Sequence, residues 1–525
     1  MLARSLPRDM TMPLLPSRGP SSFIVLLATA MVAASLGAAP PRDLLDPDTA
    51  AHVAGRTSFG ATPDLVRRIQ TRGLAAWLDE QLRPEASPDA ALDARLARLP
   101  TLAMTPRTLA ETYFIPAQER RRAAAARTGE EAAPIGEPMR MEAPGPERAV
   151  VVELATQKLM RATSAERQVE ELLVDFWFNH FNVFAGKGPV RLYVHDFERT
   201  AIRPHVLGSF RDMLGAVAGS PAMLFYLDNW QSSAPGTRTR RGPMGLNENY
   251  ARELLELHTL GVEGGYTQQD VVEVARAFTG WTIREPRRGG EAVFDPRRHD
   301  TGRKTVLGQA LAPGGRDEGE RVLDMLARHP ATARHLARKL AVRFVSDTPS
   351  DALVARVAAR FMATGGNLRE TTRALLESPE FLAPAARRTK IKTPLEFVTS
   401  ALRVLDADVR MAGPLAQQLR ALGMPPYFAE PPTGYSDQAG AWTNGGALVQ
   451  RMNVAVALTA GRLRGVGPPR LPEVDGDTAE ARAMAMAEAL LLRAPSPATM
   501  ATMARARTPE EMAALLIGSP DFQRR

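Results

Sequence analysis

Again and again along this chain a Ser or Thr is followed at once by Pro, and that pairing limits the fold more than any other feature. A hydroxyl side chain accepts from the open N–H groups of a helix's first turn, and proline at the first helical position forfeits no hydrogen bond there. Thr62-Pro63-Asp64 adds an acid on the helix dipole. That helix should end near Gly73, and a second should run from Leu74 to Leu82 before Pro84 stops it. The corner recurs as Gly219-Ser220-Pro221, Ser378-Pro379-Glu380-Phe381 and Ser519-Pro520-Asp521-Phe522, each time after an amphipathic helix. Shared corner chemistry explains the recurrence; a decayed duplication of a helical hairpin is the alternative.

Other helix boundaries follow the same logic. Ser164 is placed to cap a helix on which Val169, Leu172, Leu173, Phe176, Trp177 and Phe181 share one face. Asn247 to Leu260 reads as a helix closed by Gly261, and Thr267-Gln268-Gln269-Asp270 as a capping box whose helix ends near Gly280. The expected fold is mainly α: a multi-helix bundle of helical hairpins with one long irregular loop region and room for a small β-hairpin. Residues 1–39 read as a signal peptide, 40–117 as an N-terminal helical region and 118–148 as a flexible linker or insertion. Residues 149–412 form a central helical core carrying the loop 284–318, and 413–525 a C-terminal helical region.

The leader has the parts of an export signal. Arg4, Arg8 and Arg18 precede a continuous apolar run from Phe23 to Leu36, and Gly37-Ala38-Ala39 offers small residues to a peptidase. Pro40 and Pro41 directly after that point leave an uncleaved anchor as the alternative. No later segment is apolar for long enough to span a membrane, so the mature chain is expected to be exported, periplasmic or extracellular. Cysteine is absent from all 525 residues, which rules out disulfides, thiolate catalysis and cysteine-based metal sites. The net charge of +8 is spread among interspersed acids and forms no basic stripe, so no nucleic-acid partner is expected.

Candidate chemistry concentrates between Asn247 and His258. At about 100° per residue, Asn249, Arg252, Glu253 and Glu256 fall on one stripe. The Glu248/Arg252 and Arg252/Glu256 pairs at i,i+4 suit a solvated helix face. The functional alternative makes Glu253 and Glu256, held against Arg252, a carboxylate pair for acid–base work. His180 lies in the middle of an apolar face, where an imidazole is either a satisfied core residue or a base, and His258 lies on the apolar side of its own helix end. Catalytic candidates are thus Glu253, Glu256, Arg252 and His180. Ligand-binding candidates are Asn247, Glu248, Asn249, His258, Asp228, Asn229, Trp281, His299, Asp300 and Lys304. The acid spacing fits neither a di-iron bundle nor a zinc protease. With no nucleophile elbow, Walker loop or dinucleotide fingerprint, no metal or cofactor is named.

Several runs together resemble a family. They are His52 through Ser58-Phe59-Gly60-Ala61-Thr62, Asp175-Phe176-Trp177-Phe178-Asn179-His180-Phe181, and Ala222 to Asn229. Asn247 to Thr267, Thr279-Gly280-Trp281, His299-Asp300 with Lys304 and Gly308, His329 to Ala333 and Lys339-Leu340 continue the match. On these the chain is identified as a member of the bacterial domain of unknown function 1800. The resemblance implies an exported helical protein, often encoded beside a secreted sulfatase-like protein, and carries no established activity. It departs around Thr433-Gly434-Tyr435-Ser436, where the family's Gly-aromatic-Pro-Gly loop is altered. The leading expectation is a binding or assembly module working with an exported sulfatase-like protein or an envelope polymer. A hydrolase or lyase on such a polymer, using Glu253 and Glu256 with Arg252 and a histidine, is the second; a structural helical scaffold is the third.

Overall fold

Asp46 and Thr62 each accept a backbone N–H at a helix start with proline next in line, and α1 (Pro47–Thr57) and α2 (Pro63–Arg72) begin there. Gly73, at a φ of 79°, ends α2 and leads into α3 (Leu74–Gln81). The computed structural model describes residues 45–83, 85, 88–128, 147–239, 242–243 and 245–525. The leader, residues 1–39, and much of the expected linker lie outside them. The described start of that linker is helical: α4 spans Ile115–Thr128. Its Ala- and Arg-rich run has high intrinsic helix propensity, which prevails although no apolar stripe repeats along it.

Two helices then form the centre, α5 (Arg148–Ser164) and α6 (Gln168–His180). Ser164 is the last residue of α5 and does not cap α6, contrary to the sequence expectation. The first turn of α6 is satisfied from elsewhere, because Gln81 Oε1 accepts from Val169 N at 3.2 Å. Twelve of the thirteen α6 residues are buried, so this helix is a core rod with no solvent face.

The capping box on Thr267 and Asp270 forms as expected. It opens α8 (Gln268–Ala277), which follows the short helix α7 (Glu248–Glu253). After α7 the chain widens over Leu254–Thr259 into a looser turn, ending with a Leu260 N–H to Leu255 O bond of 2.8 Å. Strands are few: β1 (Arg238–Thr239) pairs with β2 (Gly242–Pro243), β3 (Trp281–Ile283) with β4 (Ala292–Phe294), and β5 (Lys304–Val306) with β6 (Gln309–Leu311), all antiparallel. Strand β4 and the hairpin β5–β6 lie within 284–318, the loop region expected to have room for a small hairpin. The protein is mainly α.

Four helices follow, α9 (Arg316–Ala327), α10 (Pro330–Phe344), α11 (Asp351–Ala363) and α12 (Leu368–Leu376), then the short α13 (Pro379–Leu382) and α14 (Pro394–Val404). The end of the chain holds α15 (Ala479–Leu491), α16 (Pro497–Met503), α17 (Pro509–Gly518) and the short α18 (Pro520–Gln523). The sets α10–α13 and α15–α18 follow one plan. In each, a first helix packs on a Ser-capped second and on a third, and a Ser-Pro corner starts a four-residue helix with a buried Phe. The acid after each corner proline returns to the second helix: Glu380 reaches Arg356, and Asp521 accepts from Ser496 N and Oγ at 2.9 and 2.6 Å. Two of the three Ser-Pro corners therefore hold equivalent places in a repeated helical unit.

Asp43–Arg525 forms one compact unit, so the regions separated along the sequence pack together. Among the described residues, no helix is long and apolar enough to cross a membrane.

Candidate functional site

Asp175 points from the buried rod α6 into a charged network that links three parts of the chain. Arg343, on α10 and 2% exposed, reaches Asp175 at 3.1 Å, Glu396 at 3.2 Å and Asp437 at 2.9 Å. Arg525 adds a second guanidinium to Glu396 at 2.8 Å, and Lys158 a 2.7 Å contact to Asp175. Glu396 is the third residue of α14 and completes a capping box with Thr393. Burial alone would raise its pKa, but Arg525, Arg343 and the Thr393 N–H hold the carboxyl down at about 2.

The same Glu396 and Arg525 help to line a cleft of about 100 Å³ between α1, α14, α15 and α18. Its walls carry Arg387, Arg388, Lys392, Arg493, Arg524 and Arg525 against only two acids, Asp48 and Glu396. The cations press on one another. Burial lowers Arg493 and Arg388 lowers it further, against its ion-pair partner Asp521; burial lowers Lys392 to about 7, with Arg525, Arg451 and Arg493 adding to the effect against Glu396. His52 also lines the cleft, and burial with Arg56 nearby brings it to about 4. Its Nε2 meets Phe381 O at 2.8 Å, so Nε2–H donates and Nδ1 keeps a lone pair with no partner. Arg525 Nη1 and Nε and Arg387 Nε are likewise buried without a hydrogen-bond partner. Two lining residues, Arg388 (φ 60°) and Leu492 (φ 61°), hold a left-handed backbone that costs a side chain about 1–3 kcal/mol.

Gly60 closes one wall by direct contact with α14. A Cβ there would stand 2.6 Å from Ser400 Cα, and its φ of 152° disfavours any side chain. Gly60→Ala is expected to lower stability by about 2 kcal/mol through combined strain and overpacking. Urea unfolding checks this, and an unchanged midpoint would mean that α14 yields without penalty.

A second group gathers the buried His180 and His258 with the half-buried His335 and Lys339. His180 Nε2 donates to His258 O at 3.1 Å, and His335 Nε2 to Leu257 O at 3.1 Å; the His180 ring lies 6.3 Å from His258 and 6.2 Å from His335. Burial, then Lys339, depresses all three imidazoles: His258 to about 3, His335 to about 4 and His180 well below its usual value. Burial brings Lys339 to about 8 against the pull of Asp437. His180 Nδ1 and His258 Nε2 have no partner. Among the described residues no set of three His, Asp or Glu could hold a metal ion.

The nominated acids do not join these imidazoles. Glu253 and Glu256 are half-buried on the other side of the wide turn, and Glu256 accepts from Tyr266 OH at 3.1 Å. Burial and the Glu256 charge raise Glu253, against Arg252. Arg252 pairs with Glu248 at 3.5 Å and donates to Gln268 at 2.9 Å, while Asn249 is exposed. Among the described residues, neither acid hydrogen-bonds or ion-pairs with a histidine. The wide turn changes the 100° spacing on which the expected convergence depended.

The remaining nominated residues are held by the fold itself. Asn247 caps α7 and donates to Leu227 O at 3.1 Å, Asp228 pairs with Lys187 at 2.7 Å, and Asn229 donates to Phe278 O and Trp281 O, both at 3.1 Å. Trp281 is buried beneath Arg316. His299, Asp300 and Lys304 pin the hairpin region to α8 and α9. Lys304 reaches Glu318 at 2.6 Å, Gly302 O at 3.0 Å and Asp300 O; His299 lies 3.4 Å from Glu318; Arg276 grips Asp300 through two nitrogens. With its three donors engaged, Lys304 has none left for a ligand. These contacts staple the hairpin region to α8 and α9, and His299 Nε2 is left buried without a hydrogen-bond partner.

The cleft was not foreseen. Its signals are the dense basic run Arg387-Arg388 to Lys390-Ile391-Lys392 and the family run from His52 to Ala61, of which His52, Gly55, Ser58, Phe59, Gly60 and Ala61 line the cleft. Fold and site together define a helical protein built around a cationic cleft. Residues 52–524 match the family model described as protein of unknown function (DUF1800), and the chain belongs to that family. No curated relative and no solved structure matches it.

Proposed function

We propose that this protein is an exported helical binding module whose ligand presents an anionic group to the cleft between α1, α14, α15 and α18. The observation that carries the reading is the excess of positive charge around the cleft: Arg525, Arg493 and Arg387 each meet an acid, while six cations line it against two acids, and exposed Arg388 and Arg524 stand at its mouth. Such an arrangement is costly when empty and favourable once a carboxylate, sulfate or phosphate enters. Guanidinium groups suit all three, because their planar N–H forks match oxyanion geometry. Export is supported by the basic leader, apolar run and small residues at the start of the sequence. The anionic group would then belong to an acidic envelope polymer or to another exported protein, the sulfatase-like neighbour included.

Titration calorimetry with a carboxylated or sulfated oligosaccharide, against a neutral one of equal length, tests this directly. The acidic oligosaccharide should bind, with affinity falling as salt rises, and the neutral one should not. Arg388→Glu with Arg524→Glu changes two exposed lining residues and should weaken binding by at least about tenfold. Equal binding of acidic and neutral oligosaccharides, or undiminished binding by the double variant, would refute the reading.

A further inference from the structure

We infer that Lys392 forms an imine with the carbonyl group of a ligand that also carries an acidic group, an inference that rests on the cleft being the ligand site. The chain has six lysines, and four meet a carboxylate: Lys158 with Asp175, Lys187 with Asp228, Lys304 with Glu318 and Lys390 with Asp347. Of the other two, Lys392 lines the cleft. It is 8% exposed, and its nitrogen sits 3.6 Å from the centroid of the Phe522 ring. The nearby acid, Glu396, is already engaged by Arg525 at 2.8 Å and Arg343 at 3.2 Å.

An amine held in an apolar seat among cations is the arrangement that frees its lone pair at neutral pH. The charged groups around Lys392 are Glu396, which favours the ammonium, and Arg525, Arg451 and Arg493, which oppose it. Burial is the largest influence, and the balance lies near 7. The guanidinium groups of Arg388 and Arg524, on the same walls, supply a seat for the ligand's acidic group. The lone pair of neutral Lys392 adds to the carbonyl carbon. The carbonyl oxygen then leaves as water with both amine hydrogens, and a C=N bond replaces C=O. Nothing is oxidised or reduced, and no co-reactant is needed.

The test incubates the full chain with glyoxylate, which pairs an aldehyde with a carboxylate, and traps the imine with cyanoborohydride; peptide mass mapping locates the adduct. Lys392 should be modified at least about tenfold faster than the other five lysines, and faster at pH 8 than at pH 6. Sulfate should compete, and the neutral aldehyde acetaldehyde should react much more slowly. Lys392→Gln should abolish the fast adduct and leave the slow labelling of the other five lysines unchanged. Oligosaccharide binding without a preferred adduct at Lys392 would overturn this inference and leave the anion site standing. Loss of both would overturn both, and equal labelling by acetaldehyde and glyoxylate would overturn the requirement for an acidic group.

Discussion

Replacing Arg343 with methionine is expected to lower the unfolding free energy by about 3–5 kcal/mol, among the largest effects of any single substitution in this chain. The guanidinium is 2% exposed and bridges Asp175, Glu396 and Asp437. Methionine fills most of the volume, so the loss is electrostatic: buried Asp175 and Glu396 and half-buried Asp437 remain with Arg525 and Lys158 as nearby cations. Arg343→Lys keeps the charge but cannot span three acids with a rigid fork, and should fall between the two. Urea midpoints for the three proteins give the answer. A methionine variant as stable as the parent would mean that the acids neutralise or hydrate at little cost.

The second large effect is acid sensitivity that begins unusually early. His52, His335 and His258 are depressed to about 4, 4 and 3 in the folded chain, from 6.5. For a base whose folded pKa is lowered, the unfolded chain takes the proton first. Stability is therefore intact above 6.5, declines as pH falls through that value, and levels off only at the folded pKa. A shift from 6.5 to 4 corresponds to about 3 kcal/mol per imidazole, so three together rival the stability of an ordinary domain. Glu396 has the opposite balance: its contribution is complete above about 4.5 and disappears as pH drops toward 2. Unfolding free energies measured by urea at pH 8, 7, 6 and 5 should fall steadily, with proton uptake on unfolding rising toward about four at pH 5 as His180 joins the other three imidazoles. A flat profile from pH 7 to 5 would show that the imidazoles are not buried neutral.

How much of this was legible depended on whether the governing interaction was local. Thr62, Thr267 and the Ser-Pro corners announced their helices because a cap and its N–H lie within three residues. Ser164 misled because Gln81 Oε1, from a distant helix, serves the first turn of α6 instead. The three histidines and Lys339 share a group only because α6, the wide turn after α7 and α10 meet; the turn also upset the helical spacing that placed Glu253 and Glu256. The cleft was least visible of all. His52, Lys392, Arg493 and Arg525 belong to four separate stretches, and nothing local to any one of them says that the four meet.

Arg56 bears on how this molecule must be built in time. It is completely buried on α1, and it closes the end of α10 by donating to Phe344 O and Val345 O at 3.1 and 3.2 Å and to Ala386 O at 2.6 Å, partners 288 to 330 residues away. Ribosomes deliver α1 long before those carbonyls exist, so Arg56 waits without these acceptors while the later helices are made. Such long-range closure slows folding and leaves an exposed amphipathic segment in the interim, a natural handle for a chaperone.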